Sequence, residues 1–390
     1  MKPGVYDTIS NAEYHGGAGV SKSFLDLVHR SPLHARYRQE AANDDHPPTP
    51  AQVIGSAFHA LLLEPELFVK EYTLALRQAD VPDAIADRDT LVSMVQELNA
   101  GRLPKLSTSG SKAELVARIV EAKDAAHERQ FHDAIGYEPS RLESLSLAEL
   151  KGLLSNLNTT RPGLLSDKGT IAELAAILRA NGRPVTLWSD VKQTWLENNG
   201  HRTVLDADAW DQLHRMRDSV MAHPAARALL TAVPGKAEQS VYWVDDATGE
   251  LCRCRPDFWR NDGILVDVKT TEDASPEEFA RSIAKWRYHV QHPFYVDGVN
   301  AARKQARLNV APARAFVFLV AEKKAPYAVA VYSLDVESVG LGRLEYQRDL
   351  ATLHECKQSG TWPGYGDNIK AISLPGWHIT KTVQALGLAA

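Results

Sequence analysis

LCRCRPDFWRNDGILVDVKTT, residues 251–271, is the stretch that decides the fold. Apolar and polar residues alternate through LCRCRPDFW, Asn261-Asp262-Gly263 is a tight-turn sequence, and ILVDVKTT reads as a further strand. Arg255-Pro256-Asp257 precedes Asp267-Val268-Lys269 by the length of one short strand and one turn, so the folded ribbon brings two carboxylates together. On the ILVDVKTT strand Asp267 and Lys269 are two apart and share a face, while Val266 and Val268 take the opposite one.

Two acids and a lysine at the ends of adjacent apolar strands are expensive to bury unless something pairs them, and a divalent cation does this well. Hard carboxylate oxygens without soft ligands favour Mg²⁺ or Mn²⁺ over zinc. In such a site Asp257 and Asp267 would hold the metal against a phosphodiester. Lys269 would orient or help deprotonate the attacking water and offset developing negative charge. A D-x-K triplet alone is equally a surface salt-bridge ladder. The flanking ILV, the following TT and the upstream R-P-D place this one in an apolar setting, where ionisable groups mark functional sites.

Working outward, SVYWVDD and the turn Ala247-Thr248-Gly249 complete a hairpin with LCRC. Before it, TLWSDVKQTWLENNG and DADAWDQLHRMRDSVMAHPAARALL read as helices, the second capped by Asp206 or Asp208 and broken near Pro224. After it comes one long helix, EEFARSIAKWRYHVQHPFYVDGVNAARKQ, expected to break or bend near Pro293. Two strands, ARAFVFLVAEK and YAVAVYSL, then precede a last long helix and a tail containing Trp362 and Trp377. At the other end, Ser21 caps a helix through SKSFLDLVHR, and His59 sits near the start of the helix GSAFHALLLEPELF.

These patterns divide the chain into 1–76, 77–185 and 186–390, with an all-helical insertion in the middle. The insertion contains a repeat: LVSMVQELNAGRLPKLSTSGSKAELVARI, about 91–119, and LAELKGLLSNLNTTRPGLLSDKGTIAELAAIL, about 147–178. Ser109 or Ser111, and Asp167 or Thr170, are natural caps for the second helix of each copy. The copies resemble SAP-type helix-extension-helix modules, which implies a grip on DNA through groups such as Lys112 and Lys168. Against this, 77–185 carries 14 Lys and Arg beside 15 Asp and Glu, so a purely packing or assembly role stands alongside.

Composition is that of an ordinary globular protein, 44% hydrophobic and 24% charged, which excludes a disordered or fibrous chain. The net charge of −5 gives no electrostatic sign of nucleic-acid binding, although metal-binding carboxylates contribute to it. Three cysteines cannot build a disulfide framework, and MKPGVYDTIS lacks the layout of a secretion signal, so a cytoplasmic protein without membrane contact is expected.

Four features in order, Gly55 to His59 followed by LLLEP, MAHPAARALL, the CRCRPDFW-to-DVKTT core, and Gln291 to Tyr295 as Q-x-x-x-Y, resemble the PD-(D/E)XK nuclease superfamily and within it the RecE-type exonucleases. The fold this implies is α/β, a mixed central sheet flanked by helices. The resemblance makes His59 a metal or phosphate-side residue, places Gln291 and Tyr295 on a helix lining the site, and adds the Val268 carbonyl to the metal set. It puts Arg255 among the DNA-binding groups and offers Glu238 as an additional acid. It further implies a Mg²⁺-dependent exonuclease, with Mn²⁺ as a substitute, that degrades the 5′-ended strand of linear double-stranded DNA. Such enzymes form homo-oligomeric rings, hand 3′ tails to a RecT-type annealing protein, and are phage or prophage encoded. Helicase-linked or Cas4-like relatives share the pattern but carry a cluster on four cysteines, one more than this chain has. A site-specific endonuclease and a non-catalytic DNA-binding scaffold are the other readings.

Overall fold

The computed structural model describes residues 1–40, 48–122 and 139–388, and they form two units, Met1–Leu74 with Thr203–Ala390, and Ala75–Arg202. The inserted unit keeps Thr186–Asn199, beyond the expected boundary at 185, because Ala84–Ile85 pairs in parallel with Thr186–Leu187. Two residues per strand are too few to show alternation in sequence.

In chain order the first unit begins with β1 (Gly4–Tyr6), α1 (Asn11–Gly16), α2 (Lys22–Arg30), α3 (Pro32–Glu40), α4 (Pro50–Leu63), α5 (Pro65–Glu71) and β2 (Tyr72–Leu74). The inserted unit contains β3 (Ala84–Ile85), α6 (Arg88–Ala100), α7 (Lys112–Ala122), α8 (Pro139–Ser144), α9 (Leu147–Thr160), α10 (Ile171–Ala180), β4 (Thr186–Leu187) and α11 (Trp188–Asn199). The first unit resumes with β5 (Thr203–Leu205), α12 (Ala207–Ala222), α13 (Pro224–Thr231), β6 (Gly235–Ala237), β7 (Ser240–Val244), β8 (Leu251–Cys254), β9 (Phe258–Arg260) and β10 (Ile264–Thr271). It closes with α14 (Pro276–Lys285), α15 (Tyr288–Gln305), β11 (Ala315–Glu322), β12 (Val329–Tyr332), α16 (Val336–Ser359) and α17 (Gly376–Ala385). No described helix is long and apolar enough to cross a membrane.

The protein is α/β. Its main sheet runs β12-β11-β10-β9-β6, mixed in direction, with β10 and β11 parallel from Ile264↔Ala315 to Thr271↔Glu322. A second sheet, β1-β7-β8, includes a three-residue N-terminal strand that the sequence pattern did not reveal. The period of two in β10 sorts its side chains cleanly: Leu265 joins the cluster with Phe316, Phe318 and Val290, while Val266 and Val268 join the one with Phe58, Leu61 and Leu213. Each fully buried side chain of this kind stabilises the fold by about 1.5–3 kcal/mol.

The expected break near Pro293 is absent. The long helix instead divides at Trp286–Arg287, where Arg287 takes φ 53°, and Pro293 lies inside α15. Proline at 293 leaves the His289 carbonyl without its helical N–H partner. Gly342 of α16 sits directly against that carbonyl, 1.9 Å from where a Cβ would be, so the missing side chain lets the helices close over it.

In the inserted unit the two sequence copies do not fold as two separate helix pairs. The second helix of the first copy packs on the first helix of the second: Leu115 and Ile119 meet Leu150, Leu154 and Leu157. The remaining helices pair likewise, Leu91 and Val95 with Leu174 and Leu178. Two asparagines lock the exchange. Asn99 donates to the Leu165 carbonyl and accepts from its N–H at 3.0 and 2.8 Å, and Asn158 does the same for Leu106 at 2.8 and 2.7 Å. Ser111 and Thr170 are the caps, each in a reciprocal pair with the glutamate three residues on.

Candidate active site

The site forms where β9 departs from β10. Those strands pair only through Leu265↔Trp259 and Val266↔Phe258, which leaves the β10 edge beyond Val266 open on that side. Asp257, just before β9, fills the gap, and its Oδ2 accepts the Val268 N–H at 2.6 Å. Because N–H and C=O of one strand residue point the same way, the Val268 carbonyl addresses the same edge. Asp267 and Lys269 project from the face carrying α15. Lys269 Nζ lies 2.5 Å from Asp267 Oδ2, and Gln291 on α15 donates to Asp267 Oδ1 at 2.5 Å. Asp267 is 1% exposed, and its Oδ2 has the lysine's charge beside it but no hydrogen bond of good geometry.

His59 enters from α4, with Nδ1 3.5 Å from Asp257 Oδ2. Glu238 enters from the β6–β7 junction, where its N–H donates to the Asp257 carbonyl at 3.1 Å. Its φ of 51° is an unfavourable conformation for glutamate, of the kind retained at functional sites at a cost of about 1–3 kcal/mol. His59, Glu238 and Asp257 offer donor atoms that all lie within 4.8 Å of one another.

Electrostatics agree with a cation site. Burial, reinforced by Asp267 and opposed by His59 and Lys269, pushes the Asp257 carboxyl up to about 6. Burial and then Asp257 push Glu238 up to about 9. Burial lowers the pKa of Lys269, but the charges of Asp267 and Asp257, with Tyr288, more than offset it and leave the ammonium above its usual value. Carboxylates that resist ionising beside one another are what a divalent cation relieves, and two or three acids, one imidazole and a backbone carbonyl form a donor set that Mg²⁺ or Mn²⁺ accepts. His59, Glu238, Asp257 and Asp267, with the Val268 carbonyl, are the residues that would hold it.

Tyr295, one turn beyond Gln291, is held well above its usual pKa by burial. Both residues line a cleft of about 980 Å³ whose other walls include Gly16–Gly19, Lys22, Arg38, Arg253 and Lys357. Arg255, expected among the DNA-binding groups, is instead 8% exposed: it donates to Ser240 Oγ and the Ile9 carbonyl and lies 4.0 Å from the centre of the Tyr14 ring. Its guanidinium fastens the N-terminal segment and has no free face for a phosphate. Lys112 and Lys168 are exposed in the inserted unit, at the first residue of α7 and in the loop before α10.

Two residues escaped the sequence reading. Arg253, two positions before Arg255, donates to the carbonyls of Tyr14, His15 and Gly17 and so shapes the cleft wall. Tyr288 lies with its ring centre 4.6 Å from Lys269 Nζ. Its spacing of three from Gln291 puts both on one helical face, the signal that was available.

Residues 186–375 match the family model of a PDDEXK-like domain of unknown function (DUF3799). The match takes in Glu238, Asp257, Asp267, Lys269, Gln291 and Tyr295, and leaves His59 outside. This part of the chain is thus similar to a PDDEXK-like domain, in keeping with its mixed sheet and D-x-K strand. A solved structure from Eubacterium rectale, described as a "Putative exonuclease", aligns at 12% identity over 58% of this chain and 84% of that one, with a TM-score of 0.32, a likeness too slight to weigh on fold or activity. No curated protein matches the chain.

Proposed function

We propose that the protein is a Mg²⁺-dependent exodeoxyribonuclease, able to use Mn²⁺, that hydrolyses linear double-stranded DNA. On this reading it degrades the 5′-ended strand and leaves 3′ single-stranded tails. The observation that carries it is the Asp257, Asp267 and Lys269 cluster on the open edge of β10, joined by His59 and Glu238. When bound there, a divalent cation supplies charge for the scissile phosphate and acidifies a coordinated water. The chain's own residues do the rest. Gln291 fixes the Asp267 carboxylate from the α15 side, and Lys269, protonated and held at that carboxylate, offsets charge on the reacting phosphate and orients the attacking water. The phosphate backbone would approach Gln291 and Tyr295 along the cleft walled by Arg38 and by Lys22 and Lys357, which Asp26 and Glu250 respectively pair.

The resemblance to RecE-type enzymes supports a homo-oligomeric ring, a cytoplasmic phage or prophage setting, and transfer of the 3′ tails to a RecT-type annealing protein. The inserted repeats would grip DNA in the manner of SAP modules or serve assembly.

The deciding experiment is digestion of linear duplex labelled at the 5′ or the 3′ end, with Mg²⁺ or EDTA, beside a closed circle and the Asp267→Ala variant. Metal-dependent loss of the 5′-labelled strand, absent in the variant and sparing the circle, is expected. Cutting of the circle would make the protein an endonuclease, and no activity on any substrate would leave a binding scaffold.

A further inference from the structure

We propose that Tyr288 is the positioning residue of Lys269, the face of its ring fixing where the ammonium stands. The inference rests on the nuclease reading and names a residue outside the D, D, K and Q-x-x-x-Y set. Lys269 Nζ lies 4.6 Å from the Tyr288 ring centre and 2.5 Å from Asp267 Oδ2. A lysine ends in four rotatable carbons, and one carboxylate does not fix its direction. The ring supplies the second restraint, because a cation over an aromatic face is held by the ring quadrupole, more strongly when partly desolvated.

The ring is itself held firmly. It packs between Phe279 and Phe318, with ring centres at 6.3 and 5.9 Å. Its backbone follows the α14–α15 break, which charged groups grip from two helices. Arg287 donates to Asp26 on α2 at 3.0 Å, and to Glu345 and Asp349 on α16 at 2.8 and 2.6 Å. Lys22, at the start of α2, donates to the Trp286 carbonyl at 2.6 Å and to Asp26 at 2.7 Å, with its own Nζ 5.8 Å from the Tyr288 ring centre. The left-handed turn at Arg287, which explains why the helix breaks there and not at Pro293, thereby sets the ring beneath the lysine.

The test uses the full-length chain, wild type, Tyr288→Leu and Tyr288→Phe, reading kcat and KM on end-labelled linear duplex with Mg²⁺. Leucine removes the ring face and is expected to lower kcat about tenfold or more while KM moves less than about twofold. Phenylalanine keeps the face and is expected to stay within about threefold of wild type. Because leucine also disturbs packing, a second readout is independent of turnover: the ε-methylene signal of Lys269, identified by its loss in Lys269→Arg, should be ring-shielded in wild type and Tyr288→Phe and unshielded in Tyr288→Leu. Full turnover by Tyr288→Leu, or equal loss in both variants, would overturn the positioning role. A wild type that cuts no DNA while its ε-methylene is shielded would overturn the nuclease reading, and with it any catalytic meaning of the contact.

Discussion

The open edge of β10 and the interlocked repeats of the inserted unit follow opposite rules. The repeats follow local preference: α7, α9 and α10 begin with reciprocal Ser or Thr and Glu caps and α6 with an Asp87 cap, cores are aliphatic, and Asn99 and Asn158 each saturate a backbone peptide. The β10 edge violates them. It holds a 1%-exposed aspartate, a glutamate at φ 51°, and carboxyls pushed up by burial to about 6 and about 9. Departures from local consistency concentrate at functional sites, so the contrast supports the proposed site on grounds separate from any motif.

That contrast is broken most decisively by activity. Asp257→Asn and Asp267→Asn should each lower DNA cleavage by about a thousandfold or more. At pH 8 without metal, Asp257→Asn should nonetheless melt no lower than wild type, and about 1–2 kcal/mol higher if repulsion dominates, because the amide still accepts the Val268 N–H without a buried charge. A variant both inactive and strongly destabilised would mean that the site is a structural ion cluster.

In the inserted unit the expectation is reversed. Asn99→Ala and Asn158→Ala should each cost about 1–3 kcal/mol in chemical denaturation, since each strands a backbone N–H and C=O. Their effects should match, because the two brackets are equivalent. Unequal effects would show that one copy carries the exchange. Gly342→Ala, which places a methyl on the His289 carbonyl, should lower stability by about 1–3 kcal/mol through separation of α15 and α16.

The smallest effect is a pH dependence. Asp257 and Glu238 bind protons more tightly folded than unfolded. Their contribution to stability without metal is therefore present at low pH and lost as pH rises through about 6 and about 9. Metal competes with those protons, so the rise in melting temperature on adding Mg²⁺ or Mn²⁺ should be a few degrees larger at pH 8 than at pH 5.5, and should shrink in Glu238→Gln. A pH-independent rise would place the cation elsewhere.

Much of this was legible from sequence for definite reasons. The period of two in ILVDVKTT assigned both faces of β10, and the R-P-D to D-x-K spacing met in space as expected. Arg255 was misread because a basic residue beside clustered acids looks the same in sequence whether it faces solvent or, as here, Tyr14 and Ser240. Pro293 was overread: the rule that proline breaks a helix knows nothing of Gly342 on another helix, which closes over the orphaned carbonyl. The exchanged pairing of the repeats was hidden because each copy is complementary to itself and to the other, and a repeat pattern alone does not say which partner it takes.

The strands at which the chain leaves and re-enters the first unit, β2 and β5, lie side by side, with Tyr72 opposite Thr203 and Leu74 opposite Leu205. They amount to a socket. Closing a long excursion between two such neighbouring strand ends costs only a few kcal/mol more than closing a short loop. The β2–β5 pair is thus the joint at which a long insertion enters the first unit at small entropic cost.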